Sequence, residues 1–336
     1  MSDAPTVPRG VRYGSDAEPG IRRRGTKRFE YRDERTGRPP SKQHLERIRK
    51  LAIPPAWTDV WIAGDARSHV QATGRDARGR KQYRYHADFT AHRSGDKFSG
   101  LLAFGKSLDG LRRQVRKDLR DPTPGHDQVV ALVVRLLDLT ALRVGNEEYA
   151  RTNKSFGLTT LRNRHVSVHA ATIRFQFRGK GAKDVDVAVE DRTLARLVRR
   201  CQHLPGQSLF EYETDDGAVR AIGSSDVNDY LSRHGASGAT AKTFRTWEGS
   251  TLAAEGLSLH AAGEDEPDVS TVRDVVSEVA AYLNNTPAVC RASYIHPTVV
   301  DRYMDGSLLM SWSRPVPRSP AALVASEKRL LRLLKR

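Results

Sequence analysis

Asn284-Asn285-Thr286-Pro287-Ala288-Val289-Cys290-Arg291-Ala292-Ser293-Tyr294-Ile295-His296-Pro297 reads as a short helix set between two prolines. Pro287 suits a first helical turn, where a missing N–H costs nothing, and Thr286 supplies an N-cap oxygen. Pro297 stops or restarts the helix, which puts Tyr294 near its last turn. By itself such a tyrosine is an ordinary half-buried residue with its hydroxyl at the rim. It acquires a function only if the rest of the chain supplies something for that hydroxyl to attack.

Working outward, the sequence before this stretch is mainly helical. Apolar residues at helical spacing predict helices over Ser270 to Leu283, Thr240 to Leu257, Ser225 to His234 and Asp191 to His203. Upstream of these lies a hairpin. Ile173, Phe175 and Phe177 alternate with Arg174, Gln176 and Arg178, and Val185, Val187 and Val189 alternate on the return. The connection from Gly179 to Asp184 has turn chemistry, with two glycines and Lys180. Val129 to Leu142 is a strongly apolar helix followed by Arg143-Val144-Gly145-Asn146. Leu101 to Leu119 shows a second helical spacing, and Ser326 to Arg336 is a basic amphipathic helix.

Before the polar hinge His92 to Lys97 the pattern is β. Tyr31 to Pro40 reads as a strand and turn, Ser41 to Leu51 as a short basic helix, and Val60 to Tyr85 as strands with a polar turn at 75–80. The expected organisation is α+β: a flexible basic arm over 1–28, a small β-rich domain over 29–93, and a larger, mainly helical domain over 94–336. In the last strand Tyr83 and Tyr85 share one face, with Arg84 opposite. Basic residues interleaved with aromatics suit a nucleic-acid surface, and a Tyr pair filling a small β core is the competing reading.

Composition agrees with a polyanion partner. The 336 residues carry 56 Lys and Arg against 40 Asp and Glu, a net charge of +16. The pI is near 10.1 and the mean hydropathy −0.57. This charge names nucleic acid as the default partner class without naming an activity. No apolar run approaches the roughly 20 residues a membrane span needs, and the N-terminus has no signal-like apolar core, so a cytoplasmic location is expected. Cys201 and Cys290 form no CxxC pair and no disulfide scaffold.

Two familiar motifs fail on physical grounds. Gly100 to Ser107 fits the phosphate-loop pattern G-x-x-x-x-G-K-S, yet no apolar strand precedes it and Leu101, Leu102 and Phe104 continue a helical face. His165 and His169, read in one strand, would stand ~13 Å apart, too far to share an ion. Chemistry on nucleic acid without metal or nucleotide needs protein groups alone. Fixed guanidiniums clamp the nonbridging oxygens of a pentacoordinate phosphorane, a general acid protonates the leaving alkoxide, and a protein hydroxyl attacks. Arg143, Lys180, Arg245, Asn285 and Tyr294 supply that set.

In this order and context the set resembles the type IB DNA topoisomerases of the poxvirus and bacterial kind. The resemblance runs from about Tyr31 onward. It is carried by Ile53-Pro54-Pro55-Ala56-Trp57, Gly79-Arg80-Lys81-Gln82-Tyr83-Arg84-Tyr85, Leu142 to Tyr149, Gly157 to Asn163, Phe177-Arg178-Gly179-Lys180, Arg245-Thr246-Trp247, and Asn285 to Tyr294. It implies the tyrosine recombinase/topoisomerase IB catalytic fold and relaxation of supercoiled duplex DNA. Tyr294 would form a 3′-phosphotyrosyl bond, Lys180 protonate the 5′-oxygen, and Arg143 and Arg245 clamp the phosphate. Asn285 would donate a hydrogen bond and Lys242 support the leaving group. Tyr149 would touch phosphates, Gln82, Tyr83 and Tyr85 would face the major groove, and Arg80 would be a further DNA-binding residue. The same resemblance implies no ATP and no metal, no membrane, and a monomer clamping double-stranded DNA in the nucleoid.

Two positions depart from the viral pattern, which has His at Asn285 and Lys at Asn146. An amide still donates a hydrogen bond but carries no charge. Alternative readings are a tyrosine site-specific recombinase, which would show His-x-x-Arg where this chain has Lys242-x-x-Arg245, and a non-catalytic basic nucleic-acid-binding protein. Without DNA, Tyr294 is expected to sit partly misaligned.

Overall fold

The structure is a computed structural model that describes residues 7–25, 28–77, 79–90, 98–122, 125–261, 266–308 and 320–335. The chain divides into two compact units, 1–97 and 98–336. The boundary expected at 93/94 falls outside the described residues.

In the first unit, β1 (Ile21–Arg24), β2 (Glu30–Asp33), β3 (Thr58–Ile62), β4 (Val70–Arg75) and β5 (Lys81–Tyr85) form an antiparallel sheet of order β2-β1-β3-β4-β5. Helix α1 (Lys42–Lys50), capped by Ser41, buries Ile48 with Ile21, Val60, Ile62 and Ala72. Alternation decides the faces: Trp61 points the other way, into a smaller cluster with Ala63 and Val70.

Over residues 7–25 the expected flexible arm is a correction. Ile21 is fully buried, Arg22 and Trp61 are register partners, and Arg22 pairs with Glu34 at 2.8 Å. Earlier still, the backbone of Arg12 bonds with Arg67 and His69, and its side chain reaches Asp65 at 2.6 Å. A four-residue strand with one apolar member has no legible period. Its sheet partners, not its own pattern, make it a strand.

The second unit is built on helices. These are α2 (Leu101–Asp118), α3 (His126–Thr140), α4 (Glu147–Asn153), α5 (Arg192–Gln202), α6 (Ser224–His234), α7 (Ala241–Ala261), α8 (Val269–Tyr282), α9 (Pro287–Tyr294), α10 (Pro297–Met304) and α11 (Pro320–Leu334). A three-stranded sheet of β6 (Val166–His169), β7 (Thr172–Arg178) and β8 (Asp184–Glu190) carries the expected hairpin, with Phe175 opposite Val187. His165 lies in a 3-10 turn ahead of β6, so it shares no strand with His169. A small ribbon, β9 (Glu211–Glu213) and β10 (Val219–Ala221), follows α5.

Helix α7 is the axis of this unit and packs on α2, α3, α6, α8, α9, α10 and α11. It is buried nearly all round, and its small residues let neighbours approach closely. The phosphate-loop pattern is simply the start of α2. A Cβ on Gly105 would stand 2.3 Å from the Trp247 ring of α7, so this glycine is there for helix contact.

Candidate active site

Three carbonyls at the carboxyl end of α8 gather the cations. This end closes with Asn284 N–H bonded to the Ala281 carbonyl at 3.0 Å and Asn285 N–H to the Ala280 carbonyl at 2.8 Å. Asn284 sits in the left-handed region at φ 51°, so the two bonds form a Schellman closure. Leu283 O then accepts from Arg245 Nη2 at 2.6 Å, Asn284 O from Arg143 Nη2 at 3.4 Å, and Asn285 O from Lys183 Nζ at 3.0 Å. Carbonyls beyond the last helical turn and the negative end of the helix dipole make this a natural seat for positive charge.

Each guanidinium is held from a second side. Arg245, one turn after Lys242 on α7, also donates to the Ala141 carbonyl and is 4% exposed. Ala141, at φ 48°, ends α3 and releases the chain into Arg143. The Arg143 segment is then pinned by Leu158 N–H to its carbonyl at 2.9 Å and by Thr159 N–H to the Val144 carbonyl at 2.7 Å. Arg143 Nη2 finally donates to Asn285 Oδ1 at 2.6 Å, which fixes the amide so that its NH2 faces the other way.

Among the described residues neither Arg143 nor Arg245 has a carboxylate partner. Arg245 Nε and Asn285 Nδ2 are buried donors without an acceptor. Burial first, then the neighbouring Arg245, push Arg143 down to about 10, while Tyr294 opposes the shift. A buried and a half-buried guanidinium, neither paired with a carboxylate, make this a site that favours an anion.

Tyr294 is the last residue of α9, capped at its start by Thr286 with Pro287 in the first turn. Gly249 and Ser250 of α7 set its place. A Cβ on Gly249 would stand 2.6 Å from the Tyr294 carbonyl, and Ser250 Oγ, which donates to the Thr246 carbonyl at 2.7 Å, lies 3.3 Å from the Tyr294 carbonyl and accepts from His296 N–H at 2.9 Å. The ring lies 5.1 Å from the Arg245 guanidinium and 5.6 Å from Lys242 Nζ. The ring thus lies within cation–π range of both cations. Burial alone would raise its phenol, but Arg245, Arg143 and Lys242 together bring it below the usual 10.

Lys180 stands exposed on the 3-10 turn Lys180–Ala182 between β7 and β8. It lines a cleft of about 280 Å³ whose walls include Arg143, Arg245, Asp184, Tyr282 and Asn284. Arg143, Lys242, Arg245, Asn285 and Tyr294 thus come together, with Lys180 on the cleft wall beside the two arginines. Tyr149 is 55% exposed on α4, away from that cleft's lining. In the first unit Tyr83 and Tyr85 are exposed and stacked at 5.8 Å, while Arg80 and Gln82 both donate to Asp76, at 2.8 and 2.9 Å. Sequence reading missed Gly249, Ser250, Asn284 and Lys183, since each acts through a partner distant in the chain. Of these only Asn284 carried a local signal, a helix-stop residue one turn past an apolar helix. Among the described residues no group of three or more His, Cys, Asp or Glu could hold a metal ion, and no helix is long and apolar enough to cross a membrane.

Comparison with known proteins finds two family models along the chain. Residues 86–312 match the eukaryotic DNA topoisomerase I catalytic core, and residues 28–76 match the bacterial DNA topoisomerase IB N-terminal domain. DNA topoisomerase 1B of Acanthamoeba polyphaga mimivirus is 31% identical over 269 residues, covering 78% of this chain and 80% of the viral protein. DNA topoisomerase 1B of Vaccinia virus (strain Copenhagen) is 22% identical over 139 residues, 40% of this chain and 44% of its own. Among solved structures, the XerH site-specific recombinase in its post-cleavage complex overlaps 62% of this chain and 51% of its own at 12% identity, with a TM-score of 0.36.

Proposed function

The chain belongs to the type IB DNA topoisomerases, and on that footing we propose that Tyr294, Arg143, Arg245, Lys180 and Asn285 carry out its relaxation of supercoiled DNA. The supporting observation is the buried Arg245 and half-buried Arg143, both without carboxylates, set beside a tyrosine whose phenol they acidify. A backbone phosphate is the anion this arginine pair is proposed to hold. Arg143, Arg245 and the Asn285 amide are the donors proposed to meet its nonbridging oxygens.

Tyr294 Oη attacks phosphorus once its proton is lost to solvent, a loss that the adjacent cations favour. As the phosphorane forms, its added negative charge is met by groups already in place. The bond to the 5′-oxygen breaks, its electron pair stays on that oxygen, and Lys180 protonates it. The product is a 3′-phosphotyrosyl strand and a free 5′-hydroxyl, and the duplex unwinds by rotation about the uncut strand. Religation retraces the same steps. Lys242 supports the departing oxygen and damps charge at the phenol. Every step uses protein groups, so the activity is proposed to need neither ATP nor added metal. The stacked Tyr83 and Tyr85, with Arg80, Gln82 and Tyr149, are proposed as duplex contacts for a monomer working on the chromosome in the cytoplasm.

Plasmid relaxation in EDTA without ATP tests this. Wild-type protein should relax a supercoiled plasmid there, whereas Tyr294→Phe should bind the plasmid and relax none of it. Residual relaxation by the phenylalanine variant removes Tyr294 from the role of nucleophile, and loss of wild-type activity in EDTA removes the metal-free scheme.

A further inference from the structure

The turn that carries Lys180 is tied to the cation-collecting end of α8 by two hydrogen bonds running in opposite directions. Lys183 Nζ donates to the Asn285 carbonyl at 3.0 Å, and Asn284 Nδ2 donates to the Asp184 carbonyl at 3.0 Å. Within the turn, Gly179 N–H bonds the Lys183 carbonyl at 2.8 Å, so the residue that reaches across also closes the loop around Lys180. The far side of the tie is the dipeptide that holds Arg143 through a carbonyl and a side-chain oxygen. Its neighbour Leu283 holds Arg245.

We propose that Lys183 is a positioning residue which docks the Lys180 turn onto the carboxyl end of α8 and so sets the general acid against the arginine pair. The proposal rests on the reading of Lys180 as general acid. Without the tie, a turn of small residues with a Gly181 at φ 77° has little else to fix its tip. A charge-assisted bond to a carbonyl at a helix end is among the stronger single contacts an exposed side chain can make. Lys183 serves the reaction by holding the turn while Lys180 meets the oxygen. The fold itself does not depend on it, because the hairpin core of Ile173, Phe175 and Val189 is buried apart from the tip.

The test is single-turnover cleavage by the full chain on a duplex carrying a site first mapped with wild-type protein. The duplex is made once with the ordinary phosphodiester and once with sulfur replacing the bridging 5′-oxygen. A thiolate leaves without a proton, so sulfur removes the need for the acid and leaves phosphate binding unchanged. Lys183→Met should cleave the oxygen substrate about tenfold more slowly, the scale of one charged hydrogen bond, and regain the wild-type rate with sulfur. Lys183→Arg, which can still donate to the carbonyl, should stay close to wild type on both. DNA affinity should be unchanged in all variants.

Wild-type cleavage of the oxygen substrate by Lys183→Met overturns the proposal. So does equal slowing on both substrates, or weaker DNA binding, which would make Lys183 a phosphate contact. A Lys183→Arg variant as slow as Lys183→Met also overturns it. Lys180→Ala serves as the reference. If sulfur rescues it but not Lys183→Met, the proposal alone fails. If sulfur does not rescue Lys180→Ala, the acid assignment falls and takes the proposal with it.

Discussion

Burial alone would raise the Tyr294 phenol, but the charges of Arg245, Arg143 and Lys242 bring it below 10. A lower pKa means more phenolate at any pH below it, so the single-turnover cleavage rate should rise with pH toward a midpoint under 10. Lys242 is the exposed member of the three, so it can be removed without opening the core. Lys242→Met should move that midpoint upward, toward the value of a free phenol. A midpoint that does not move takes Lys242 out of the field felt by Tyr294. The same logic explains Asn285: with Oδ1 committed to Arg143, its NH2 is left as an uncharged donor, which keeps the hydrogen bond and adds no titration.

The end of α8 shows why the stop residue there is an asparagine. Its backbone needs φ 51°, the position where glycine is the commonest choice, while its side chain adds the bond to Asp184. Asn284→Gly should therefore leave thermal stability within about 0.5 kcal/mol of wild type, since it keeps the closure and loses only an exposed bond. Asn284→Val should cost about 1–2 kcal/mol, because a β-branched residue resists the left-handed region. Thermal denaturation of both variants checks this. Equal melting temperatures would mean that the helix end relaxes into another conformation. The hairpin is decided differently. Its strands are legible from alternation alone, while the docking of its tip depends on residues about a hundred positions away.

Across the second unit, a buried charge cluster links α2, α3, α7 and α11. Arg112 binds Asp138 and Glu327, each at 2.7 Å, and Glu327 also accepts from Trp247 Nε1 at 3.0 Å. Glu248, one turn after Arg245, lies in the field of this cluster. Burial, then Glu327 and Asp138, push it up to about 7 from an ordinary 4.5, against the pull of Tyr282 and Arg112. The native state then holds a proton that the unfolded chain has released. The associated stability is complete below about pH 4.5 and is lost as the pH rises through about 7. Glu248→Gln should be more stable than wild type at pH 8, by up to about 3 kcal/mol, with the advantage shrinking toward pH 5. Melting temperatures that differ equally at the two pH values would show that Glu248 is ionised throughout.

The sequence determined the parts of this protein that local periodicity and residue chemistry encode. These are the helices from Asp191 onward, the hairpin with Lys180 at its turn, the short helix ending in Tyr294, and the residue types a metal-free phosphoryl transfer calls for. It also contained, in Thr286, Pro287 and Pro297, the bounds of that short helix. Tertiary structure alone decided that Ile21 to Arg24 is a strand, because its pairing partners Glu30 to Asp33 and Trp61 specify it and its own pattern does not. It also decided that Gly249 and Ser250 seat Tyr294, and that three consecutive carbonyls from Leu283 to Asn285 collect Arg245, Arg143 and Lys183. Backbone carbonyls carry no sequence signal, and their direction is fixed only once the helix has ended and its neighbours have packed against it.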